Sequence, residues 1–272
     1  MSQTVLITGS STGIGAATAE LFFERGWNVV ATLRKPLGRR QHPRWLELRL
    51  DVTEPDSISS ALAAAISHYG HIDVVVNNAG YGLVGSFESM DEETIRRQFE
   101  TNVFGLMRVC RAALPHFRSQ REGHGAGTLI NVASMGGRLT FPFYSVYHAT
   151  KWAVDGFSES LAFEAEAVGV KVKIIEPGAI KTDFYERSMD FVHDRSLSRY
   201  NSVVDVAMGK MGKAGAKGAP ASRVAEAIWK AATDGSKQLR YLVGSDAKSL
   251  LALRRLLGID VLRGILKSQL LK

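Results

Sequence analysis

Residues 4–15 read T-V-L-I-T-G-S-S-T-G-I-G, and this stretch decides the fold that the sequence predicts. Its first five residues, Thr4–Thr8, form an apolar run with several β-branched side chains, which is typical of a buried strand. Glycines follow at positions 9, 13 and 15, and a helical pattern begins within the same segment. A strand, a glycine-rich turn and a helix in this order indicate the first unit of a parallel α/β sheet. Backbone amides in such a turn can approach a phosphate group closely.

The alternation of strand and helix continues along most of the chain. Six further apolar runs are predicted as strands: Asn28–Leu33, Leu46–Leu50, Asp73–Asn77, Thr128–Ala133, Val170–Glu176 and Leu239–Val243. Helical patterns lie between them, near residues 14–25, 55–69, 91–119, 145–168 and 221–234. The pattern predicts an α/β protein with a single-domain Rossmann fold over residues 1–246, built on a doubly wound, seven-stranded parallel sheet.

Two segments depart from this alternation. Residues 177–220 form a connection far longer than the usual span of about 2 to 6 residues, so we predict a substrate-binding lid that carries short helices. Residues 247–272 are predicted as a basic, amphipathic C-terminal extension, because leucines recur among arginines and lysines. Such a segment can dock on the domain, form a subunit interface or contact an anionic membrane surface. Docking or assembly is favoured over membrane contact.

Composition and charge exclude several classes of protein. The 272 residues are 45% hydrophobic and 22% charged, which excludes a disordered, collagen-like or disulfide-stapled chain. Cys110 is the single cysteine, and we interpret it as a small buried hydrophobe in a reducing compartment. We find no secretory or membrane-spanning segment and predict a cytoplasmic protein.

The net charge of +7 is concentrated near the C-terminus. Residues 205–272 carry 13 basic and 5 acidic side chains, whereas residues 1–204 carry 21 and 22. A nucleic-acid partner is not predicted, because the basic segment is rich in leucine and lacks the interleaved aromatic residues that stack on bases.

Three further motifs follow predicted strands: Asp51-Val52, Asn77-Asn78-Ala79-Gly80, and Pro177-Gly178 with Thr182. Carboxyl ends of parallel strands meet at one edge of a sheet, where open α/β proteins bind ligands. We therefore predict a nucleotide site at this edge. Its candidate residues are Gly9, Ser11, Gly13, Ile14, Gly15, Arg34, Asp51, Val52, Asn78, Ala79, Gly80, Tyr147, Lys151, Pro177, Gly178, Ile180 and Thr182.

A phenol and an ammonium group are predicted on one helix face, because Lys151 follows Tyr147 by four residues. Free tyrosine has a pKa of about 10, and a nearby cation can supply much of the fall that a base needs near pH 7. Tyr144 is a rival phenol, but it has His148 at the corresponding position, and we expect His148 to point away from Tyr147. Ser134 directly follows the fifth predicted strand, and its hydroxyl can donate to a carbonyl oxygen.

The T-G-x-x-x-G-I-G turn, the N-N-A-G motif, Ser134 and the Y-x-x-x-K pair together resemble the short-chain dehydrogenase/reductase family. The resemblance is dense over residues 4–182 and looser over 221–246. It implies an NAD(P)-dependent oxidoreductase acting on CH–OH groups, and a homodimer or homotetramer. It also implies a catalytic tetrad of Asn102, Ser134, Tyr147 and Lys151, in which Asn102 holds a water in a proton relay from the lysine.

The end of the second strand bears on the choice of cofactor. Relatives that prefer NAD carry an acid there, whereas this chain has Leu33, followed by Arg34 and Lys35. An arginine fork suits a phosphate, so NADP(H) is favoured and NAD(H) is the alternative. Some relatives that prefer NADP also carry a basic residue in the glycine turn, where this chain has Thr12. The other interpretation is that Arg34 and Lys35 are solvated charges of a loop.

Apolar residues are expected to surround the reacting centre, which favours a lipophilic carbonyl or alcohol of steroid or retinoid type as small-molecule substrate. The candidate substrate-binding residues are Ser134, Met135, Phe141, Tyr144, Tyr147, Phe184, Tyr185 and Met189. An NAD-preferring dehydrogenase of a small alcohol or sugar is one alternative. A non-catalytic nucleotide sensor is another, and it should lack at least one of the catalytic residues. No metal site is predicted, and no G-x-S-x-G motif supports acyl transfer.

Overall fold

Seven parallel strands form the central sheet of the computed structural model, which describes residues 2–38, 40–119, 127–182 and 188–271. These strands are β1 (Thr4–Thr8), β2 (Asn28–Leu33), β3 (Trp45–Arg49), β4 (Val74–Asn77), β6 (Thr128–Val132), β7 (Lys171–Pro177) and β11 (Arg240–Val243). Their order across the sheet is β3-β2-β1-β4-β6-β7-β11, and every neighbouring pair is parallel. The predicted α/β fold with its seven-stranded parallel sheet is confirmed.

Helices cover both faces of this sheet. They are α1 (Gly13–Glu24), α2 (Pro55–Tyr69), α3 (Glu92–Phe99), α4 (Leu106–Ser119), α5 (Ser145–Glu166), α6 (Ser198–Ala216), α7 (Ala221–Thr233) and α8 (Ser245–Leu270). Two small sheets accompany them, one of β5 (Gly82–Gly85) with β9 (Met189–Val192), and one of β8 (Ile180–Lys181) with β10 (Ala219–Pro220).

Side chains of each central strand alternate between two hydrophobic cores. In β1, Val5 and Ile7 pack in the core under α1 and α7, whereas Leu6 packs in the core under α2, α4 and α5. All three are fully buried. Each such side chain stabilises the fold by about 1.5 to 3 kcal/mol. Strands that are buried on both faces read as continuous apolar runs, which is why the sequence identifies them.

The helix predicted over residues 91–119 is interrupted. A π-helical turn at Glu100–Gly105 separates α3 from α4 and carries Asn102, which is buried. Gly105 allows this turn to lie against Val52, since an added Cβ there would come within 2.7 Å of Val52 Cγ2. One extra residue in a single turn barely changes the apolar periodicity, so the sequence pattern does not reveal it.

The segment 177–220 contains more regular structure than predicted. Its helix α6 has 19 residues, where only short helices were expected. Val204, Ala207 and Met211 are buried at helical spacing, but Gly209, Gly212 and Gly215 lie among them. Each glycine lowers helix propensity by about 1 kcal/mol, which conceals the helix in the sequence.

The C-terminal segment folds back on the domain. Helix α8 is kinked at Gly258, where φ is 77° and ψ is 173°. Leu251 before the kink and Leu262 and Leu266 after it are buried in one cluster with Met135. None of the helices in the described part of the chain combines the length and hydropathy that a bilayer crossing requires.

Candidate active site

A cleft of about 760 Å³ lies at the carboxyl edge of the central sheet and brings together most of the predicted site residues. The candidate residues that line it are Gly9, Ser11, Gly13, Ile14, Arg34, Asp51, Val52, Asn78, Ala79, Gly80, Ser134, Met135, Phe141, Tyr144, Tyr147, Lys151, Pro177, Gly178, Ile180 and Thr182. Gly15, Asn102 and Met189 lie outside this lining. Phe184 and Tyr185 lie outside the described residues.

Backbone contacts shape the end of the cleft at β1. The side-chain amide of Asn78 donates to the carbonyl oxygens of Thr8 at 2.9 Å and Gly9 at 3.1 Å, which ties the end of β4 to the glycine turn. Gly15 lies behind this turn without room for a side chain. An added Cβ would come within 2.2 Å of Gly9 O and 2.5 Å of Asn78 Nδ2. Gly15 therefore supports the turn from behind, although it does not line the cleft.

The N-terminus of α1 opens into the same part of the cleft. Gly13, its first residue, has a φ of 56°, in the left-handed region that glycine adopts without strain. The side chain of the N-cap residue Thr12 makes no capping hydrogen bond, and the first turn carries no acidic residue. Uncapped amides at a helix N-terminus attract anions, so this end of the cleft suits a phosphate group.

The end of β2 adds a positive charge to this region. Leu33 is buried, whereas Arg34 is exposed, and both line the cleft. The position where an acidic residue would repel a phosphate is therefore occupied by a hydrocarbon side chain. A guanidinium group stands beside it and can bind a phosphate through two parallel hydrogen bonds.

Tyr147 and Lys151 lie on α5 and face the cleft together. Lys151 Nζ lies 5.9 Å from the centre of the Tyr147 ring and donates a hydrogen bond to Val132 O at 3.0 Å. Burial lowers the pKa of Lys151 to about 8, so the ammonium form still predominates at neutral pH. The arrangement places a cation beside a half-buried phenol, which favours the phenolate.

Ser134 follows β6 and begins a short turn at Met135–Gly137. Its Oγ accepts a hydrogen bond from the Gly136 amide at 3.0 Å. Because this bond uses only a lone pair of the oxygen, the hydroxyl hydrogen can still donate to an acceptor in the cleft that Ser134 lines.

Asn102 lies behind the wall of the cleft. Its Oδ1 accepts from the Tyr81 amide at 3.0 Å, and its Nδ2 donates to Tyr81 O at 2.8 Å and to Thr150 Oγ1 at 3.2 Å. The π-helical turn directs this side chain inward. Asn102 thus links the segment after β4 to α5, next to the residues that line the site.

Comparison with known proteins agrees with this arrangement. A family model described as short chain dehydrogenase matches residues 3–191. The chain belongs to the short-chain dehydrogenase family. An oxidoreductase of Botryotinia fuckeliana is 35% identical over 254 residues, which cover 91% of this chain and 90% of that protein. A 3-ketodihydrosphingosine reductase of Bacteroides thetaiotaomicron is 40% identical over 182 residues, 67% of this chain and 65% of the relative.

Solved structures show the same likeness. A short-chain dehydrogenase from Streptomyces avermitilis superposes with a TM-score of 0.84 at 34% identity, covering 98% of this chain and 95% of that one. A short chain dehydrogenase from Burkholderia cenocepacia, in complex with NADP, superposes with a TM-score of 0.74 at 25% identity, covering 100% and 98%. This short-chain dehydrogenase is accordingly an oxidoreductase.

The far end of the cleft contains residues of α8 that the predicted substrate-binding set lacks. Met189 lies just outside the lining, in a small cluster with Val84, Tyr144 and Met211. Three leucines of α8, namely Leu250, Leu266 and Leu270, and Met211 of α6 complete the apolar lining beside the predicted Met135, Phe141 and Tyr144. The kink at Gly258 brings the second half of α8 back to the cleft, and nothing in the local pattern specifies that return.

His148 corrects a second expectation for this short-chain dehydrogenase. It lines the cleft, and its ring centre lies 5.9 Å from that of Tyr147, whereas the sequence suggested that it points away. Its Nδ1 accepts from the Phe141 amide at 3.3 Å. Burial lowers the pKa of His148 to about 4, so the ring is neutral near pH 7 and carries its proton on Nε2.

Proposed function

We propose that this chain transfers a hydride between NADP(H) and the carbonyl or secondary alcohol group of a lipophilic substrate, with Tyr147 as general acid and base. One observation carries the proposal: Tyr147, Lys151 and Ser134 line a single cleft together with the uncapped N-terminus of α1. This arrangement joins a proton donor, a hydroxyl that can bind a carbonyl oxygen, and an anion site.

The residues of the cleft suit a nicotinamide dinucleotide. The α1 end offers backbone amides for the phosphates, and the close contacts of Gly15 keep the turn that presents them in place. Pro177, Gly178 and Thr182 face this turn from the end of β7, since Thr182 Cβ lies 3.6 Å from an added Cβ on Gly13. When bound, the cofactor supplies or accepts the hydride.

Tyr147 and Lys151 divide the proton chemistry in this proposal. Tyr147 donates a proton to the carbonyl oxygen during reduction and removes it from the alcohol during oxidation. The Lys151 ammonium lowers the free energy of the phenolate, and it is mostly cationic below its pKa of about 8. Ser134 holds the substrate oxygen against the phenol through its free hydroxyl hydrogen. Asn102 supports this set from behind, through its bonds to Tyr81 and Thr150.

Arg34 supports NADP(H) as the favoured cofactor. It is exposed at the rim of the cleft, beside a hydrocarbon side chain in the position of the acid that NAD-preferring relatives carry. The Burkholderia cenocepacia structure contains NADP and a Burkholderia phymatum structure contains NAD, so the preference rests on Leu33 and Arg34. NAD(H) remains the alternative cofactor.

The far end of the cleft supports a lipophilic substrate. Met135, Phe141, Met211, Leu266 and Leu270 surround it with flexible apolar side chains. Such a wall excludes water and offers few polar partners, which suits a steroid- or retinoid-like ketone or alcohol. The Bacteroides relative is named for a keto substrate, 3-ketodihydrosphingosine, in agreement with carbonyl reduction.

Two measurements test the proposed function. Ketones, aldehydes and secondary alcohols of graded lipophilicity are screened with both cofactors through the absorbance of the reduced nicotinamide. With an active substrate, Tyr147→Phe should lower kcat by a factor of roughly 10² to 10⁴, because the general acid is removed. Its NADPH Kd should change by less than about twofold, a change of less than about 0.4 kcal/mol.

Tyr144→Phe is the matched control, because Tyr144 is the neighbouring phenol on the same cleft. It should lose less than about tenfold in kcat. Undiminished turnover by Tyr147→Phe would contradict the assignment of Tyr147. Cofactor binding without turnover of any compound in the screen would favour the nucleotide-sensor alternative.

A further inference from the structure

A cluster of charged side chains lies directly behind the wall of the candidate active site. At its centre is Glu176, the residue before Pro177 in β7, whose side chain is fully buried. Arg138 lies on one side, with Nη1 3.4 Å from Glu176 Oε2. Arg240 of β11 lies on the other, with Nη1 3.7 Å from Glu176 Oε1. A buried carboxyl group is thus held between two guanidinium groups.

Helix α5 contributes two further carboxylates. Asp155 Oδ1 accepts from Arg240 Nη1 at 2.7 Å, and Glu159 Oε2 accepts from Arg240 Nη2 at 2.6 Å. Asp155 is buried and Glu159 is exposed. Because three carboxyl groups share Arg240 and Arg138 is partly exposed, the two arginines do not fully compensate two buried negative charges. Loss of the last proton from the Asp155–Glu176 pair is therefore unfavourable.

The cluster joins three segments of the site: the turn that follows Ser134, the part of α5 that contains Lys151, and the loop that begins at Pro177. Arg138 ends the turn that Ser134 begins. Asp155 stands one helical turn after the lysine on α5, and Glu176 directly precedes the proline. A shift of any of these side chains would therefore move a segment that carries a site residue.

Close packing leaves little room for such a shift to be absorbed. An added Cβ on Gly137 would lie 2.8 Å from Lys151 O and 3.4 Å from Asp155 Cβ, so the turn after Ser134 rests directly on α5. Asp246 of α8 holds the next part of the loop, since its Oδ2 accepts from the Ala179 amide at 2.7 Å. Asp246 therefore binds the backbone of the loop that follows Glu176.

We propose that Glu176 and Asp155 are positioning residues that share one proton and thereby hold the Ser134 turn, α5 at Lys151 and the Pro177 loop in register. The inference rests on the proposed function of the same site. With the proton present, Glu176 donates a hydrogen bond to Asp155. Without it, two adjacent buried carboxylates repel each other, and the three segments move apart.

Two observations agree with a shared proton near neutral pH. Glu176 Oε1 is buried and accepts no hydrogen bond from a described residue. Burying an oxygen without a hydrogen bond costs free energy when the carboxyl group is ionised, and much less when it is protonated. Burial and, to a smaller extent, the neighbouring Asp155 raise the pKa of Glu176 to about 7, against the opposing charges of Arg138 and Arg240. A carboxyl group with this pKa is protonated below pH 7 and ionises as the pH rises through it.

The test compares kcat of Glu176→Gln with that of the wild-type enzyme from about pH 5.5 to about pH 9, as a ratio at each pH. The glutamine amide keeps the hydrogen bond to Asp155 at every pH. The ratio should be constant below about pH 6 and rise at least threefold across about pH 7, because only the wild type loses the shared proton. Taking the ratio cancels the ionisations of Tyr147 and Lys151, which both enzymes share.

Glu159→Gln is the matched control, since it removes an exposed carboxylate from the same arginine. Its ratio to wild type should stay flat with pH. Asp155→Asn removes the repelling neighbour, so the transition should move to lower pH. This second variant and the next measurement keep the test decisive if Glu176→Gln does not fold.

Infrared difference spectra of the wild-type protein follow the proton without any turnover. A carbonyl band of a protonated carboxyl group should be lost as the pH rises through about 7, and it should be absent from Glu176→Gln. Absence of this titration would overturn the shared proton. If the band titrates but the kcat ratio of Glu176→Gln to wild type does not change with pH, the positioning role is overturned. The band is measured without substrate, so this experiment tests the shared proton even if the proposed enzyme activity is wrong.

Discussion

The two ends of the cleft are built in different ways. At the nucleotide end, close contacts hold the backbone of the glycine turn: the side-chain amide of Asn78 donates to the carbonyls of Thr8 and Gly9, and Gly15 lies against the Gly9 carbonyl without space for a methyl group. At the substrate end, the wall consists of flexible side chains such as Met211 and Leu266. The first end tolerates almost no added volume, whereas the second can be reshaped one side chain at a time.

The difference also concerns distance along the chain. The glycine turn follows β1 directly, and Asn78 follows β4, so strand pairing alone brings this end together. The substrate end joins residues from the turn after β6, from α6 and from the last turns of α8. We therefore expect substitutions at the nucleotide end to weaken or alter cofactor binding and those at the substrate end to change substrate specificity.

Among changes at the two ends of the cleft, the largest effect is expected from Gly15→Ala. The new methyl group would lie 2.2 Å from Gly9 O, and this contact can be relieved only by moving the turn. Overpacking of this kind costs about 2 to 3 kcal/mol, which predicts roughly a 30- to 150-fold rise in the NADPH Kd. Fluorescence titration measures that constant.

Gly209→Ala is the control for this change. Gly209 lies inside α6, and an added Cβ there meets no atom within 4 Å. It should leave NADPH binding unchanged and stabilise the protein by up to about 1 kcal/mol, because alanine is the better helix former. Equal NADPH affinity of Gly15→Ala and the wild type would show that the nucleotide end is adaptable after all.

A smaller effect is expected from Leu33→Asp, which changes charge at the nucleotide end. The new carboxylate would repel a phosphate near Arg34 and can accept bonds from ribose hydroxyls. The NADP/NAD ratio of kcat/KM should fall about tenfold or more, since hydrogen bonds to charged groups contribute about 1.5 to 3 kcal/mol. Leu33→Asn has the same shape without the charge and should change the ratio far less. A ratio that stays constant in Leu33→Asp would exclude Arg34 as the phosphate partner.

The smallest effect is expected at the substrate end, from Leu266→Ala. Losing one apolar contact of about 1 to 2 kcal/mol should lower kcat/KM for a lipophilic substrate roughly 5- to 30-fold, with the NADPH Kd unchanged. Leu256→Ala, in the same helix but 80% exposed, is the control and should alter neither value. An equal loss for a small, polar substrate would indicate that Leu266 supports the fold and does not shape specificity.

Much of the candidate site follows from local sequence, because its residues are tied to strand ends. The strand β4 places Asn78 at the cleft, and four-residue spacing on α5 places Lys151 beside Tyr147. The interruption of the long helix at Asn102 and the inward position of His148 were not foreseen. Both depend on contacts with other segments, namely with Tyr81 and with Phe141.

The sequence by itself determined the parallel sheet, the glycine turn at its edge and the register of the phenol with the ammonium group. These features arise from periodicity and spacing within short segments, which local sterics and strand pairing convert into structure. Only the tertiary structure decided that α8 turns at Gly258 to cover the substrate end, and that Arg240 meets both Glu176 and Asp155 behind the wall of the candidate site. Those contacts join residues far apart in the chain. They depend on which faces remain to be buried once the sheet has formed, and no local pattern records that.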